Sequence, residues 1–197
     1  MSVSPRIEPA GRDRVDALAA VYARAFLDDP IVRWPLPDTP DVHDRIRQVF
    51  AAIYLGIADD GVIWEAGDAD GFAVWIPAGA TDDMFESDAA VQRALAPLTA
   101  DDGERYRVLW DWIEARVPAD VWYLDAIAVE PSRQGRGVGG ALMRHGLDAA
   151  AGAGVDAFLE TALARNVRYY ERFGFRVVDE GEPEPGGPHV WFMRTGA

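Results

Sequence analysis

The sequence predicts a mixed α/β fold, in which helices flank one sheet with both parallel and antiparallel neighbours. Three features carry this expectation. The stretch "VWYLDAIAV" at 121–129 is apolar at nearly every position, as a central strand covered by helices on both faces must be. The chain after it alternates helix and strand and closes on two consecutive, antiparallel-looking strands. Ahead of it, "GVIWEA" and "GFAVWIP" are joined by "GDAD", a turn-forming tetrapeptide that reads as a hairpin.

In chain order, residues 12–27 place Val15, Leu18, Ala19, Tyr22, Ala25 and Phe26 on one helical stripe, and "DDP" ends that helix. "DPIVRWPLPD" holds three prolines and reads as a loop, after which Asp41 is expected to cap a helix reaching about Ala58. The hairpin follows, and residues 81–117 return to a helical pattern, two helices broken near Pro97 to Gly103. The central strand runs into "VEPSRQGRGVGGALM" and a helix to about Ala151, with Val138, Ala141, Leu142 and Ala149 on its stripe. His145 shares that stripe and is expected to be a packed, hydrogen-bonded histidine. "VDAFLE" is a strand, "ARNVRYYERF" a short helix that Gly174 stops, and "GFRVVDE" and "PHVWFMR" are strands joined by the acidic loop 181–188. No repeat, linker or second domain interrupts this, so residues 1–197 are expected to form one domain with a helical insertion at about 81–117.

Composition removes several classes of function. With 49% hydrophobic and 26% charged residues the chain can bury a substantial core. No apolar run approaches a membrane span, and the first twenty residues are too polar and acidic for a signal peptide, so a cytoplasmic protein is expected. The absence of cysteine excludes disulfides, thiolate zinc sites and cysteine nucleophiles, and three scattered histidines offer no metal-ligand spacing. A net charge of −14 argues against a nucleic-acid partner and suits a cationic small molecule. All 19 basic residues are arginine, the signature of a GC-rich genome.

A strand, a glycine-rich turn and a helix in succession gather backbone N–H groups at the positive end of a helix dipole, where an oxyanion is favoured. Glycine lets a phosphate approach and permits positive φ. Arg133 and Arg136 add local positive charge. Two ligands fit the letters. Gly135, Gly137 and Gly140 spell the dinucleotide fingerprint G-x-G-x-x-G, with Glu160 about twenty residues on as the acidic partner of NAD. Gln134, Gly137 and Gly139 spell Q-x-x-G-x-G, a loop that cradles the pyrophosphate of coenzyme A. A nucleotide P-loop is excluded because no Gly-Lys-Ser/Thr closes the turn. Against NAD stands the topology, since only 57 residues follow Gly140 and they read β-α-β-β rather than repeated βα units.

The segments "WYLDAIAVEPSRQGRGVGGALM", "AFLETALARN", "YYERFGF" and "WFMR", in that order, resemble the GCN5-related N-acetyltransferases (GNAT). With the weaker "AFLDDPIVRW" and "AVWIPAG" they are most similar to the puromycin N-acetyltransferase type. The resemblance implies a bent mixed sheet whose central parallel strands splay to admit the pantetheine arm of acetyl-CoA. It places main-chain groups of Ile127, Ala128 and Val129 along that arm, and the loop Gln134, Gly135, Arg136, Gly137, Val138, Gly139 and Gly140 around the pyrophosphate. Gly140 is then read as a close-packing residue of the helix.

Asn166 matches the family's cofactor-contacting position, with a helix N-cap as its alternative role. Tyr170 matches the general acid that protonates the departing thiolate, and a phenol is protonated at neutral pH. Asn166 and Tyr170 are i and i+4 and so share a helix face; the alternative for Tyr170 is packing beside Phe173. Glu160 is the expected base, with Asp125 or no dedicated base as rivals. The acceptor side falls on Asp29, Trp34 and Trp75. The implied activity is direct transfer of acetyl from acetyl-CoA to the primary amine of a small, cationic molecule, by a metal-free monomer or homodimer. Direct attack is favoured because no cysteine exists to carry the acyl group. The alternatives are an NAD-binding oxidoreductase and a non-catalytic acyl-CoA binder.

Overall fold

The computed structural model describes residues 5–58, 62–80 and 89–196. The strands are β1 (Ile7–Pro9), β2 (Ile63–Ala66), β3 (Gly71–Ile76), β4 (Val121–Val129), β5 (Asp156–Thr161), β6 (Arg176–Gly181) and β7 (Val190–Arg194). The helices are α1 (Val15–Ala25), α2 (Pro30–Arg33), α3 (Val42–Tyr54), α4 (Ala89–Leu95), α5 (Glu104–Glu114), α6 (Val138–Ala153) and α7 (Ala164–Glu171). Among the described residues the strands make one sheet in the order β1-β2-β3-β4-β5-β7-β6. β4 and β5 are parallel, with α6 between them in the chain, and every other pair is antiparallel. A dinucleotide-binding sheet needs successive parallel βα units, so this topology gives the NAD alternative no support.

β4 and β5 pair only where Val121 to Leu124 lie opposite Asp156 to Leu159. Both strands continue, to Val129 and Thr161, so they part at Asp125 and Glu160 and leave a wedge. On its far edge β4 is held by β3 through a register shift at Val74/Trp75, while β7 holds β5 from Phe158 to Thr161. Such a bulge locally bends and twists a strand, which accommodates the divergence.

Both faces of the sheet are packed. Phe72, Val74 and Ile76 of β3 join the core under α1, α3 and α5, and Ala73 and Trp75 join the core under α6. α6 approaches Trp75 across Gly146, where a Cβ would lie 2.0 Å from the indole. Trp75, expected on the acceptor side, is therefore a core residue of the opposite face.

Several boundaries differ from the sequence expectation. The proline-rich stretch contains the single-turn helix α2, because Asp29 accepts the Ile31 N–H at 2.9 Å and Pro30 occupies the first helical position. Asp41 precedes α3 but its carboxylate takes Arg45 Nε at 3.0 Å instead of capping the backbone, and regular helix ends at Tyr54, ahead of Gly56. The edge strand β1 was not anticipated, since three residues are too few to show a period. Of the helical stretch 81–117, residues 81–88 lie outside the described residues; α4 and α5 fill the rest, broken where Gly103 adopts φ +93°. On α6 the buried face includes Met143, Gly146 and Ala150 rather than Ala149, and His145 packs its ring 4.2 Å from that of Trp64. Gly174 has the left-handed φ of +90° expected of a helix stop. No helix among the described residues is long and apolar enough to cross a membrane.

Candidate active site

Asp125 and Glu160 stand where the wedge opens, each beside a tyrosine of the α1/α3 side of the sheet. The Tyr54 hydroxyl donates to Asp125 Oδ2, and the Tyr123 hydroxyl donates to Glu160 Oε1 at 2.9 Å. Glu160 Oε2 is buried with no hydrogen-bond partner among the described residues. Burial pushes the Asp125 carboxyl up to about 6, against the opposing effect of the Tyr54 hydrogen bond. Glu160 rises well above the usual carboxylate range, by burial first and then by the charge of Asp125. Asp125 is therefore the carboxyl that ionises first, and Glu160 keeps its proton until a cation lowers it.

The helix α7 brings two more groups to the wedge. Leu163 holds its N-cap position, which places Asn166 inside the first turn, so the N-cap alternative for Asn166 is corrected. Its Nδ2 donates to Thr161 Oγ1 at 3.2 Å, and that hydroxyl also accepts from Leu163 N at 3.3 Å. One turn later Tyr170 is 7% exposed, with its ring 5.4 Å from Tyr169 and 6.1 Å from Phe175. Phe173 packs on Tyr169 instead, at 5.2 Å. Burial lifts the Tyr170 phenol far above its ordinary range, so it keeps its proton at neutral pH.

Asp125, Glu160, Asn166 and Tyr170 line a single cavity of about 1080 Å³, its open mouth included. Asp29 lines it too, buried at the start of α2. Trp34 and Trp75 do not: Trp34 ends α2 under the Arg105 guanidinium, 5.7 Å above its ring, and Trp75 lies across the sheet. The remaining walls were not foreseen. Tyr22 and Phe26 come from α1, Val49 and Ile53 from α3, and Tyr106, Trp110 and Glu114 from α5. Those last three fall at i, i+4 and i+8, a face legible in the sequence once the helix is known to border the site.

The glycine loop follows the C-terminal end of β4, beyond the half of the strand that parts from β5. A tight turn at Pro131–Arg133 leads to Gly135 (φ +73°) and to Gly137 (φ +90°), which is the N-cap of α6. Gly137 has no side chain to satisfy the first N–H groups of α6, and residues 131–137 are exposed. Those donors are open to an anion at the positive end of a helix of 16 residues. Gln134 is spent locally, its amide donating to Val129 O at 3.2 Å, and Arg133 pairs with Asp70 at 2.9 Å, which leaves Arg136 as the exposed cation of the loop.

Val138 is buried and anchors the helix start. Ala128 is buried against the α1 side, Val129 packs toward α6, and Ile127 reaches the cavity. Close packing falls on Gly139, where a Cβ would meet Tyr169 Oη at 3.2 Å and Val129 Cγ2 at 3.3 Å. At Gly140 the nearest atoms to an added Cβ would be the Arg144 guanidinium, at 3.4 Å, and the Phe173 ring, at 3.7 Å, ordinary contact distances, so the tight position is Gly139 and not the expected Gly140.

Comparison with known proteins gives a consistent picture. The model of the family described as "Acetyltransferase (GNAT) family" matches residues 70–175, more than half of the chain and the whole span from the hairpin turn to the end of α7. Over 72 residues the chain is 36% identical to the uncharacterized N-acetyltransferase YjcF of Bacillus subtilis, a match covering 36% of this chain. It spans about half the length of that relative, 51%. Among solved structures, a histone acetyltransferase HPA2 and related acetyltransferase from Corynebacterium glutamicum superposes with a TM-score of 0.70 at 22% identity, covering 98% of this chain and 96% of that one. A polyamine N acetyltransferase of Drosophila melanogaster superposes with a TM-score of 0.68 at 15% identity, over 96% and 98%. At these identities the likeness is one of fold.

Proposed function

The chain belongs to the acetyltransferase (GNAT) family, and from that premise we propose that it transfers the acetyl group of acetyl-CoA to the primary amine of a small molecule by direct attack. The observation that carries this reading is the convergence of Tyr170, Asn166, Glu160 and Asp125 on one cavity, at the point where β4 and β5 part. The chain offers acetyl-CoA a fitting cradle. N–H groups of the loop from Gln134 to Gly140 would hold its pyrophosphate, and the β5-facing edge of β4 at Ile127, Ala128 and Val129, which β5 leaves unpaired there, would hold its pantetheine arm. Asn166 would fix the arm near Thr161.

Bound acetyl-CoA supplies an activated thioester; the rest of the chemistry belongs to the chain. The amine nitrogen bonds to the acetyl carbon, the carbon–sulfur bond breaks, and Tyr170 donates its proton to the departing sulfur. An ammonium arriving beside Glu160 and Asp125 lowers both carboxyls, so Glu160 ionises on binding and takes the ammonium proton that frees the nitrogen lone pair. The second proton, shed once the carbon–nitrogen bond has formed, returns to the phenolate that Tyr170 becomes on protonating the sulfur. The Drosophila melanogaster neighbour, a polyamine N acetyltransferase, supports a small amine as acceptor. The finer likeness to the puromycin N-acetyltransferase type is part of this proposal, although the acceptor is better taken from the cavity walls, which vary on a shared scaffold.

Calorimetry with coenzyme A and NAD side by side, followed by thiol release from acetyl-CoA over a panel of amines, tests the reading. Binding of coenzyme A alone, with amine-dependent thiol release, is expected. NAD binding without a coenzyme A response would sink the proposal, and acetyl-CoA binding with no turnover on any amine would replace it with a non-catalytic acyl-CoA binder.

A further inference from the structure

We infer that the acceptor is a lipophilic primary amine bearing no carboxylate or phosphate of its own, an apolar-bodied cation of the arylalkylamine kind. The inference rests on the acetyl-transfer reading of the same cavity and narrows its substrate. Its first ground is a one-sided charge inventory. Asp29, Glu114, Asp125 and Glu160 line the cavity, and no arginine or histidine does. The chain has no lysine, and the residues outside the described ones (1–4, 59–61, 81–88 and 197) include no basic side chain. The deficit is therefore built into the walls.

Elsewhere among the described residues the protein closes its one other buried carboxylate. Glu65 and Asp29 are equally hidden, each 7% exposed. Glu65 is clasped by Arg14 through hydrogen bonds of 2.8 and 2.6 Å. Asp29 has the Ile31 N–H as its nearest donor and feels Arg165 only through space. Asp125 and Glu160 have tyrosine hydroxyls as partners, and the Glu114 carboxylate at the exposed rim has no hydrogen bond or ion pair among the described residues. Uncompensated carboxylates in a partly dry pocket are costly, and a cation from outside removes that cost. A ligand carboxylate would meet four acids and no base, a repulsion that rejects amino acids and nucleotides.

The second ground is the apolar character of the walls away from the sheet edge. Tyr22 and Phe26 stack with ring centroids 4.3 Å apart, Tyr106 and Trp110 lie 5.9 Å apart, and Val49 and Ile53 complete one side. Rings and methyl groups reward an aromatic or aliphatic body and offer the many hydroxyls of an aminosugar fewer partners than they need. Acids set among ring surface thus describe an amine whose cation is carried on an apolar body.

The test is thiol release from acetyl-CoA with matched acceptors: phenethylamine, phenylalanine, phenylalanine amide, glucosamine and spermidine. We expect phenethylamine and phenylalanine amide to exceed phenylalanine in kcat/KM by roughly 10²-fold or more, because the amide differs from the acid mainly in lacking its charge. Glucosamine and spermidine should fall below phenethylamine, and Glu114→Gln should raise the KM for phenethylamine several-fold while leaving that for acetyl-CoA alone. Phenylalanine turned over as fast as its amide, or glucosamine or spermidine preferred to phenethylamine, overturns this inference and leaves acetyl transfer standing. Thiol release with none of the acceptors overturns both.

Discussion

The glycine loop and the acidic cavity adjoin β4 at different points, the loop beyond its last residue Val129 and the cavity along Leu124 to Ile127, and they present opposite kinds of group. The loop is continuous in sequence and exposed, and presents main-chain N–H groups that left-handed glycines hold open. The cavity is assembled from segments as far apart as Tyr22 and Tyr170, presents side chains, and keeps its carboxyls above their ordinary range by burial. A backbone site depends on conformation and tolerates changes of side chain. A side-chain site depends on the identity of a few groups and stores electrostatic free energy.

Tyr170 should show this contrast most sharply. Tyr170→Phe removes a hydroxyl from the cavity and nothing from the loop, so turnover should fall by roughly 10²-fold, the scale for a lost general acid, while acetyl-CoA binds as before. Steady-state kinetics beside calorimetry with acetyl-CoA separates the two effects. Unchanged turnover would reduce Tyr170 to a packing residue against Tyr169 and Phe175.

Asp125 should behave oppositely in stability and in activity. Its folded-state pKa of about 6 lies above the ordinary 3.8, so between those values the native state binds more protons than the unfolded chain. Stability attributable to this group therefore falls as pH rises from about 4 to about 6, then stays level. Asp125→Asn keeps an acceptor for the Tyr54 hydroxyl and removes the penalty. It should gain up to about 2 kcal/mol at pH 8 and nothing near pH 3.5, discounting the full linkage value because the group is half-buried. Urea melts at the two pH values check this. Turnover should drop in the same variant, since Asp125 supplies negative charge to the acceptor end beside Glu160, Glu114 and Tyr123.

The same contrast explains what the sequence made legible. β4, the loop, α6, β5 and α7 announce themselves by local period and glycine placement, and Asn166 and Tyr170 share a face by spacing alone. The acceptor walls follow no such rule. β3 is apolar at every position, so nothing in its own letters tells that Phe72 faces α1 and Trp75 faces α6; the slot at Gly146, seventy residues away, decides it. α5 carries Tyr106, Trp110 and Glu114 on one face, but how it docks is set by tertiary packing, and neither its face nor the single turn α2 has a period long enough to foretell that.

The smallest expected effect lies in the loop, where it is conformational. At Gly137 an added Cβ would meet nothing within 4 Å, so steric exclusion is absent, and only φ +90° opposes a side chain. Gly137→Ala should therefore destabilise by about 1 kcal/mol, the scale for a non-glycine residue held in the left-handed region. If the N–H groups of this turn hold the pyrophosphate, the same variant should raise the KM for acetyl-CoA by up to about tenfold, through relaxation of the turn and crowding of the anion, and leave the amine KM unchanged. Thermal melts and KM measurements for both substrates read the two consequences separately. A shift in the amine KM instead would mean that the loop and the cavity are coupled along β4, and that the division between a backbone site and a side-chain site does not hold.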